Sequence, residues 1–271
     1  MAILKAKAKV NLFFHITGKR NDSYHLIDSL MVFTQDLYDL IEIKPSETNH
    51  TEIIGGEFAY LLENENNNLI DKAIQAFSTK EKYYCSLTKN IPIGAGLGGG
   101  SSDAAIVAKF LNQNLNNHEL AKIGADLPIC YHAEPAFCSG IGEIIEPIVN
   151  FPLIYLVLIN PRKALLTTDV FKANTSIDTP KTLHHFFKNA EQLIEFLSLL
   201  HNNLTDAAIL LMPEIKEVLG LLLRQDGCRI SRMSGSGPTC FGLFTDKHKA
   251  IEASENLTKL KPEYWIKYSA V

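Results

Sequence analysis

The residues with the plainest chemical character lie between Pro92 and Ala105, PIGAGLGGGSSDAA, where Gly94, Gly96, Gly98, Gly99 and Gly100 lead into Ser101 and Ser102. Glycines leave backbone N–H groups unobstructed. A helix starting at Ser101 or Ser102, either of which is a natural N-cap, directs its first unpaired donors and its positive dipole end to one point. Such a point receives an anion, phosphate above all. The two hydroxyls add ligands for phosphate oxygens or for magnesium. The competing reading is a tight strand-to-helix turn packed with glycine. Asp103 suits the helix dipole but repels phosphate, so it is expected to point aside.

Known phosphate loops fit this stretch poorly. Gly94, Gly96 and Gly99 satisfy G-x-G-x-x-G only because glycine is so dense, and no acidic residue ends a second parallel strand about 20 positions on. Glu119 is near in number but sits in a polar, helix-like segment. A Walker loop requires lysine after Gly99, where Gly100 stands, and neither H-R-D nor D-F-G of the protein kinases occurs. No G-x-S-x-G or H-E-x-x-H points to a hydrolase, and His184-His185 reads as the start of a surface helix.

These residues must be held by regular elements. From Leu4 to Ile16 the even positions are all apolar while Lys5, Lys7, Lys9, Asn11 and His15 fall opposite, the period of a long strand with one polar face. Lys9 and Asn11, two residues apart, stand side by side on that face. The turn formers of GKRNDSYH break the strand, and LYDLIEIKP supplies another that ends at Pro45. After the polar connector ENENNN, Leu69, Ala73, Ile74 and Phe77 share a helical face, and Tyr83 to Thr88 alternate as a strand entering the glycine loop. AAIVAKFLN continues as a helix, a short helix from His118 stops near Gly124, and Pro128 is expected to hold Leu127 extended. AFCSGIGEIIEPI reads as one strand-like segment.

The proline-bearing stretch Pro147 to Pro152 marks a boundary between domains 1–152 and 153–271. Beyond it come the strand PLIYLVLINP, a helix from Pro213 closed by Gly227, two strands flanking the turn SGSGP, a helix over Lys247–Leu260 and a strand around Trp265–Tyr268. The pattern is α+β.

At 271 residues the chain can bury one or two substantial cores. Its 46% hydrophobic and 21% charged residues are those of an ordinary globular protein, and a net charge of -4 argues against a nucleic-acid wrapper. Five cysteines without a C-x-x-C pair suggest neither a disulfide framework nor a zinc ribbon. No window is apolar enough to cross a bilayer, and the lysine-punctuated N-terminus lacks a secretory h-region. The expectation is a cytoplasmic protein, with no nucleic-acid or membrane partner, monomeric or homodimeric, acting on small molecules.

Three segments in combination, AKAKVNLFFHITGKRNDSYH, PIGAGLGGGSSDAA and SRMSGSGPTCFGLF, resemble the GHMP family of small-molecule kinases over nearly the whole chain, least between about Asn174 and Asn202. The resemblance implies two α+β domains, an S5 domain 2-like N-terminal one and a ferredoxin-like C-terminal one, with ATP and substrate in the cleft between them. It implies that the loop lysine is supplied from elsewhere: Lys9 of K-x-N and Asp126 of GADLP are the catalytic pair. The pattern alone does not separate Lys9 from Lys5 and Lys7, and Asp126 read alone is a turn aspartate.

The resemblance further implies that ATP, with Mg²⁺, lies against Pro92, Ile93, Gly94, Ala95, Gly96, Leu97, Gly98, Gly99, Gly100, Ser101 and Ser102, with Asn68 and Lys89 near the adenine and phosphates. No dedicated metal-ligand set is expected. A cytidyl-bearing alcohol of isoprenoid precursor biosynthesis is the implied substrate, met by Asn11, Tyr24, His25, Thr167 and Phe171. Its cytosine would lie between Tyr24 and Phe171, with His25 on the polar edge. Other GHMP kinases, acting on mevalonate, homoserine or a sugar, and a silent nucleotide-binding regulator on the same fold are the alternatives. Two departures from the family pattern are Ser23 where glycine is usual before Tyr-His, and NNL (Asn202 to Leu204) for N-D-L.

Overall fold

The computed structural model describes residues 1–22, 24–62, 68–78, 81–176 and 178–271. Ser23 and most of the asparagine-rich connector, residues 63–67, lie outside the described residues. The first sheet is built from β1 (Ala2–Lys19), β2 (His25–Ser46), β3 (His50–Gly55), β4 (Lys82–Thr88), β5 (Ala136–Gly140) and β6 (Ile144–Pro147). Between its strands run α1 (Leu69–Phe77), α2 (Gly99–Leu111), α3 (Asn117–Ala121) and α4 (Leu127–His132). The chain continues through β7 (Tyr155–Asn160), α5 (Thr167–Ala173), α6 (Ala190–Ser198), α7 (Thr205–Leu211), α8 (Glu214–Leu223), β8 (Ile230–Met233), β9 (Cys240–Phe244), α9 (Lys247–Leu260) and β10 (Trp265–Ala270).

β2 is the spine of the first sheet. Its 22 residues pair antiparallel with β1 along their length, with β5 over Ile27–Met31 and with β4 over Leu40–Ser46. The second sheet has the order β10-β7-β9-β8, antiparallel throughout, which with its helices gives the βαββαβ ferredoxin-like arrangement. The two sheets divide the chain between β6 and β7.

Several elements differ from the sequence reading. AFCSGIGEIIEPI is a hairpin, β5 and β6, not one strand, because Gly140 and Gly142 turn the chain with φ of 74° and 119°. Leu127 is helical, since Pro128 occupies the first turn of α4, where its missing N–H has no helical partner to lose. α8 ends at Leu223, and Gly227 belongs to the turn after it. His184 lies in no helix: its ring stacks on Phe137, with centroids 4.1 Å apart.

The polar face expected for β1 is exposed only at its start. From Ala8 to Ile16 every residue is buried, because one side of the strand packs on the second sheet and the other on α2 and α4. Val10, Leu12 and Phe13 join Leu30 and Val32 against Leu156, Leu158, Phe241 and Trp265. A register shift between Asn11 and Phe13 then sends Phe14 and Ile16 into the helical layer with Ala104, Ala108 and Leu127. Each fully buried large side chain here stabilises the fold by ~1.5–3 kcal/mol relative to exposure. This packing makes β1 a rigid base for Lys9 and Asn11.

Candidate active site

The glycine loop is shaped by backbone that other residues cannot follow. Gly96 has φ of 71°, and a Cβ there would sit 2.2 Å from the carbonyl oxygen of Ser234. Gly98, with φ of 63°, lies so close over β1 that its Cβ would be 3.1 Å from Lys9 Cε. Gly98 is also the N-cap of α2, three or four residues before the serines expected in that place. The reason is steric: Gly98 adopts the left-handed turn at no cost, and the Ser102 N–H already donates to Gly98 O at 2.8 Å. The N–H groups of Gly99, Gly100 and Ser101 are therefore left without partners inside the helix.

Lys9 Nζ is 3.2 Å from Asp126 Oδ2 and donates to Asn11 Oδ1 at 2.8 Å. The lysine side chain is 5% exposed and the aspartate 36%, so the ammonium is sheltered while the carboxylate faces the cleft. Asp126 holds the N-cap position of α4 yet makes no capping bond. Pro128 removes one of the two N–H groups such a cap would take, leaving the carboxylate for Lys9. The Lys9 N–H donates to Leu97 O at 2.9 Å, which binds the strand to the loop.

Lys89 lies behind the loop. Its ammonium donates to Asp103 Oδ2 at 2.7 Å and to Asp39 Oδ2, with all three side chains buried. Asp39 Oδ1 in turn accepts from the N–H of Ile91 at 2.9 Å. Burial opposes the charge on Lys89, but the two carboxylates outweigh it and hold the pKa above its ordinary value. Burial, with Asp39 adding to it, pushes the Asp103 carboxyl up to about 8, against the pull of Lys89. Asp103 thus turns its carboxyl to Lys89.

At the other end, His25 stacks on Phe171 with centroids 4.8 Å apart, while Tyr24 stands 56% exposed. Burial, then the charge of Lys19, holds the His25 imidazole below its usual pKa, so it is neutral at physiological pH. Thr167 and Ser236 hydroxyls are 2.9 Å apart, joining the start of α5 to the SGSGP turn. That turn meets the loop directly: Ser234 Oγ donates to Gly96 O at 2.8 Å, and the Thr239 N–H donates to Ala95 O. Asn202 fixes the turn from below, donating to Met233 O and Gly235 O. Asn203, the residue that departs from N-D-L, accepts through Oδ1 from the Ile16 N–H at 2.8 Å.

One cleft of about 760 Å³ joins both ends. It is lined by Lys9, Asn11, Tyr24, His25, Asn68, Lys89, Asp126, Thr167 and Phe171, together with the loop from Pro92 to Ser101 except Leu97. Leu97 is buried in the core, and Ser102 turns its hydroxyl to Cys130 Sγ at 3.3 Å, so neither lines the cleft. Asn68 caps α1 through Oδ1, accepting from the Ile70 N–H. Phe14, Leu62, Ile141 and Ser236 line the cleft without having been anticipated. Ser236, like Gly235 beside it, carried a signal in the sequence, its place in the SGSGP turn.

Among the described residues no group of three or more His, Cys, Asp or Glu could hold a metal ion. The five cysteines are free, and burial pushes the thiols of Cys85 and Cys130 up to about 12, far from reactive thiolates. Among the described residues no helix is long and apolar enough to cross a membrane.

Comparison with known proteins places this geometry in a family. Residues 68–141 match the GHMP kinases N terminal domain, and residues 182–263 match GHMP kinases C terminal. The chain is 37% identical to a 4-diphosphocytidyl-2-C-methyl-D-erythritol kinase of Roseobacter denitrificans, covering 97% of this chain and 91% of that protein. A protein of the same name from Paracoccus denitrificans is 39% identical, covering 98% and 95%. The crystal structure of a 4-(cytidine 5'-diphospho)-2C-methyl-D-erythritol kinase superimposes with a TM-score of 0.76 at 28% identity, covering 99% of this chain and 98% of that one. The chain belongs to the GHMP kinase family.

Proposed function

We propose that this chain transfers the γ-phosphoryl group of ATP to a hydroxyl of 4-diphosphocytidyl-2-C-methyl-D-erythritol, giving the 2-phosphate, a step in non-mevalonate isoprenoid precursor synthesis. The observation that carries the reading is the Lys9–Asp126 pair, 3.2 Å apart, under the unpaired N–H groups at the start of α2. The names of the relatives, which cover nearly all of the chain, supply the substrate.

Phosphoryl transfer passes through a loose transition state, so positioning and charge stabilisation dominate. The N–H groups of Gly99, Gly100 and Ser101 and the dipole of α2 hold the phosphates. Asp126 orients the acceptor hydroxyl and takes its proton as the oxygen–phosphorus bond forms and ADP leaves. Lys9, 3.2 Å from Asp126, holds that side chain in place and balances charge on the transferring group. A magnesium ion would be held chiefly by the nucleotide phosphates, with the Ser101 hydroxyl as a side-chain ligand on the cleft wall, and would supply neutralisation of their charge. Lys89, its ammonium held by Asp39 and Asp103, acts on the nucleotide by fixing the loop.

The cytosine stacks on Phe171 and Tyr24, a contact of ~1–3 kcal/mol. His25 now covers Phe171 and must turn aside, after which its neutral ring meets the polar edge of the base. Incubation with ATP, Mg²⁺ and 4-diphosphocytidyl-2-C-methyl-D-erythritol should yield a new phosphomonoester resonance in the phosphorus NMR spectrum, coupled to the erythritol moiety. ATP consumed without that resonance, or no ATP consumed, refutes the assignment.

A further inference from the structure

Asn11 meets Lys9 with the oxygen of its amide, and the two ends of an amide are nearly the same shape. Partners alone decide which end faces the lysine. On the far side, Asn11 Nδ2 lies 2.8 Å from Ser29 Oγ, and Ser29 is fully buried in β2. The Ser29 hydroxyl has one proton, and it is spent on Phe13 O, 2.6 Å away, a carbonyl that can only accept. Ser29 Oγ is therefore left as an acceptor towards Asn11. It draws the NH₂ end of the amide to itself and turns the oxygen towards Lys9.

We propose that Ser29 is a positioning residue for phosphoryl transfer: through the amide of Asn11 it dictates that an acceptor, never a donor, faces the Lys9 ammonium. This rests on the reading that Lys9 and Asp126 carry the reaction. A reversed amide would set NH₂ against NH₃⁺ and push the ammonium off its 3.2 Å approach to Asp126. The register shift between Asn11 and Phe13 builds the relay, since it brings the Phe13 carbonyl and the Asn11 side chain to the same hydroxyl. Ser234 holds the other side of Asn11, accepting from its backbone N–H at 3.1 Å, so the side-chain amide has freedom only in its orientation.

Ser29→Thr and Ser29→Val have the same shape and differ only in the hydroxyl, so their comparison isolates it. Ser29→Val should lose about tenfold in kcat, the cost of about 1.4 kcal/mol, with the KM for ATP within about twofold, while Ser29→Thr stays near wild type. In an Asn11→Ala background, followed by single turnover, the difference between Val and Thr should vanish. Equal rates for Thr and Val in the wild-type background, or a gap that persists without Asn11, would overturn the proposal. If the added methyl prevents folding, Ser29→Ala takes the place of Val and must show the same dependence on Asn11. If Asn11→Ala is too slow to follow, the Asn11 side-chain NH₂ resonances decide. Slow exchange with water that is lost in the hydroxyl-free variant supports the relay, and unchanged exchange sinks it. Lys9→Ala at wild-type turnover would instead remove the reading beneath, a distinguishable result.

Discussion

Two lysines approach the glycine loop, and each meets carboxylate. Lys9 comes from the middle of β1 and faces Asp126, whose side chain opens on the cleft. Lys89 comes from the end of β4 and is sealed between Asp39 and Asp103. Residue types and spacing are alike, yet one charge is available to a reacting group and the other is consumed in holding the loop. The difference lies in what surrounds the acid. Asp126 sits at the head of a short helix whose proline withholds a capping donor, so its carboxylate stays uncommitted. Asp39 is saturated by backbone N–H groups of the loop and by Lys89. A buried ion pair is weak support for stability but strong support for one geometry.

Removing each member of this comparison should sort them. Lys89→Met leaves the buried Asp39 without its cation and should destabilise the fold by about 3–5 kcal/mol, seen as a fall in the denaturation midpoint. A midpoint near wild type would mean that the cluster does not hold the loop. Asp126→Ala should act the other way, lowering kcat by about 10²-fold or more with little change in midpoint. Full turnover in that variant would take the acceptor carboxylate out of the mechanism.

The smallest effect concerns the proton on Asp103. Its carboxyl is raised from 3.8 to about 8, foremost by burial. Between those values the unfolded chain has released a proton that the folded one retains, so this group's contribution to stability declines as pH rises across that window. Asp103→Asn, neutral at every pH, should gain on wild type as pH rises from 5 to 8, read as a Tm difference that grows with pH. A Tm difference that does not grow with pH would show Asp103 ionised in the fold.

Much of the frame was legible before any coordinates. Periodicity marks α1, α8, α9, β4 and β7 because each has one buried and one wet side, or is a continuous apolar run. The first half of β2 escaped, since Ile27 to Phe33 is buried on both faces and gives no alternation. The sequence reading passed over α6 although Leu193, Ile194 and Leu197 share a buried face, and α5 and α7, at seven residues each, are too short to establish a helical period. Of the site, the loop was plain from its glycines. Lys9 could not be told from Lys5 and Lys7 by pattern, because its burial comes from α2 and the loop packing over it.

Sequence by itself determined most of the elements and the anion-receiving turn, which follow from local backbone freedom and periodicity. Only the tertiary structure decided which lysine meets a carboxylate open to the cleft, which is held between two buried acids, and which end of Asn11 faces the charge. Those outcomes depend on groups far apart in the chain, Lys9 with Asp126, Lys89 with Asp39, and Asn11 with Ser29 and Ser234. Partner and solvent access set the behaviour of a charged or polar side chain, and neither is a property of its own position in the sequence.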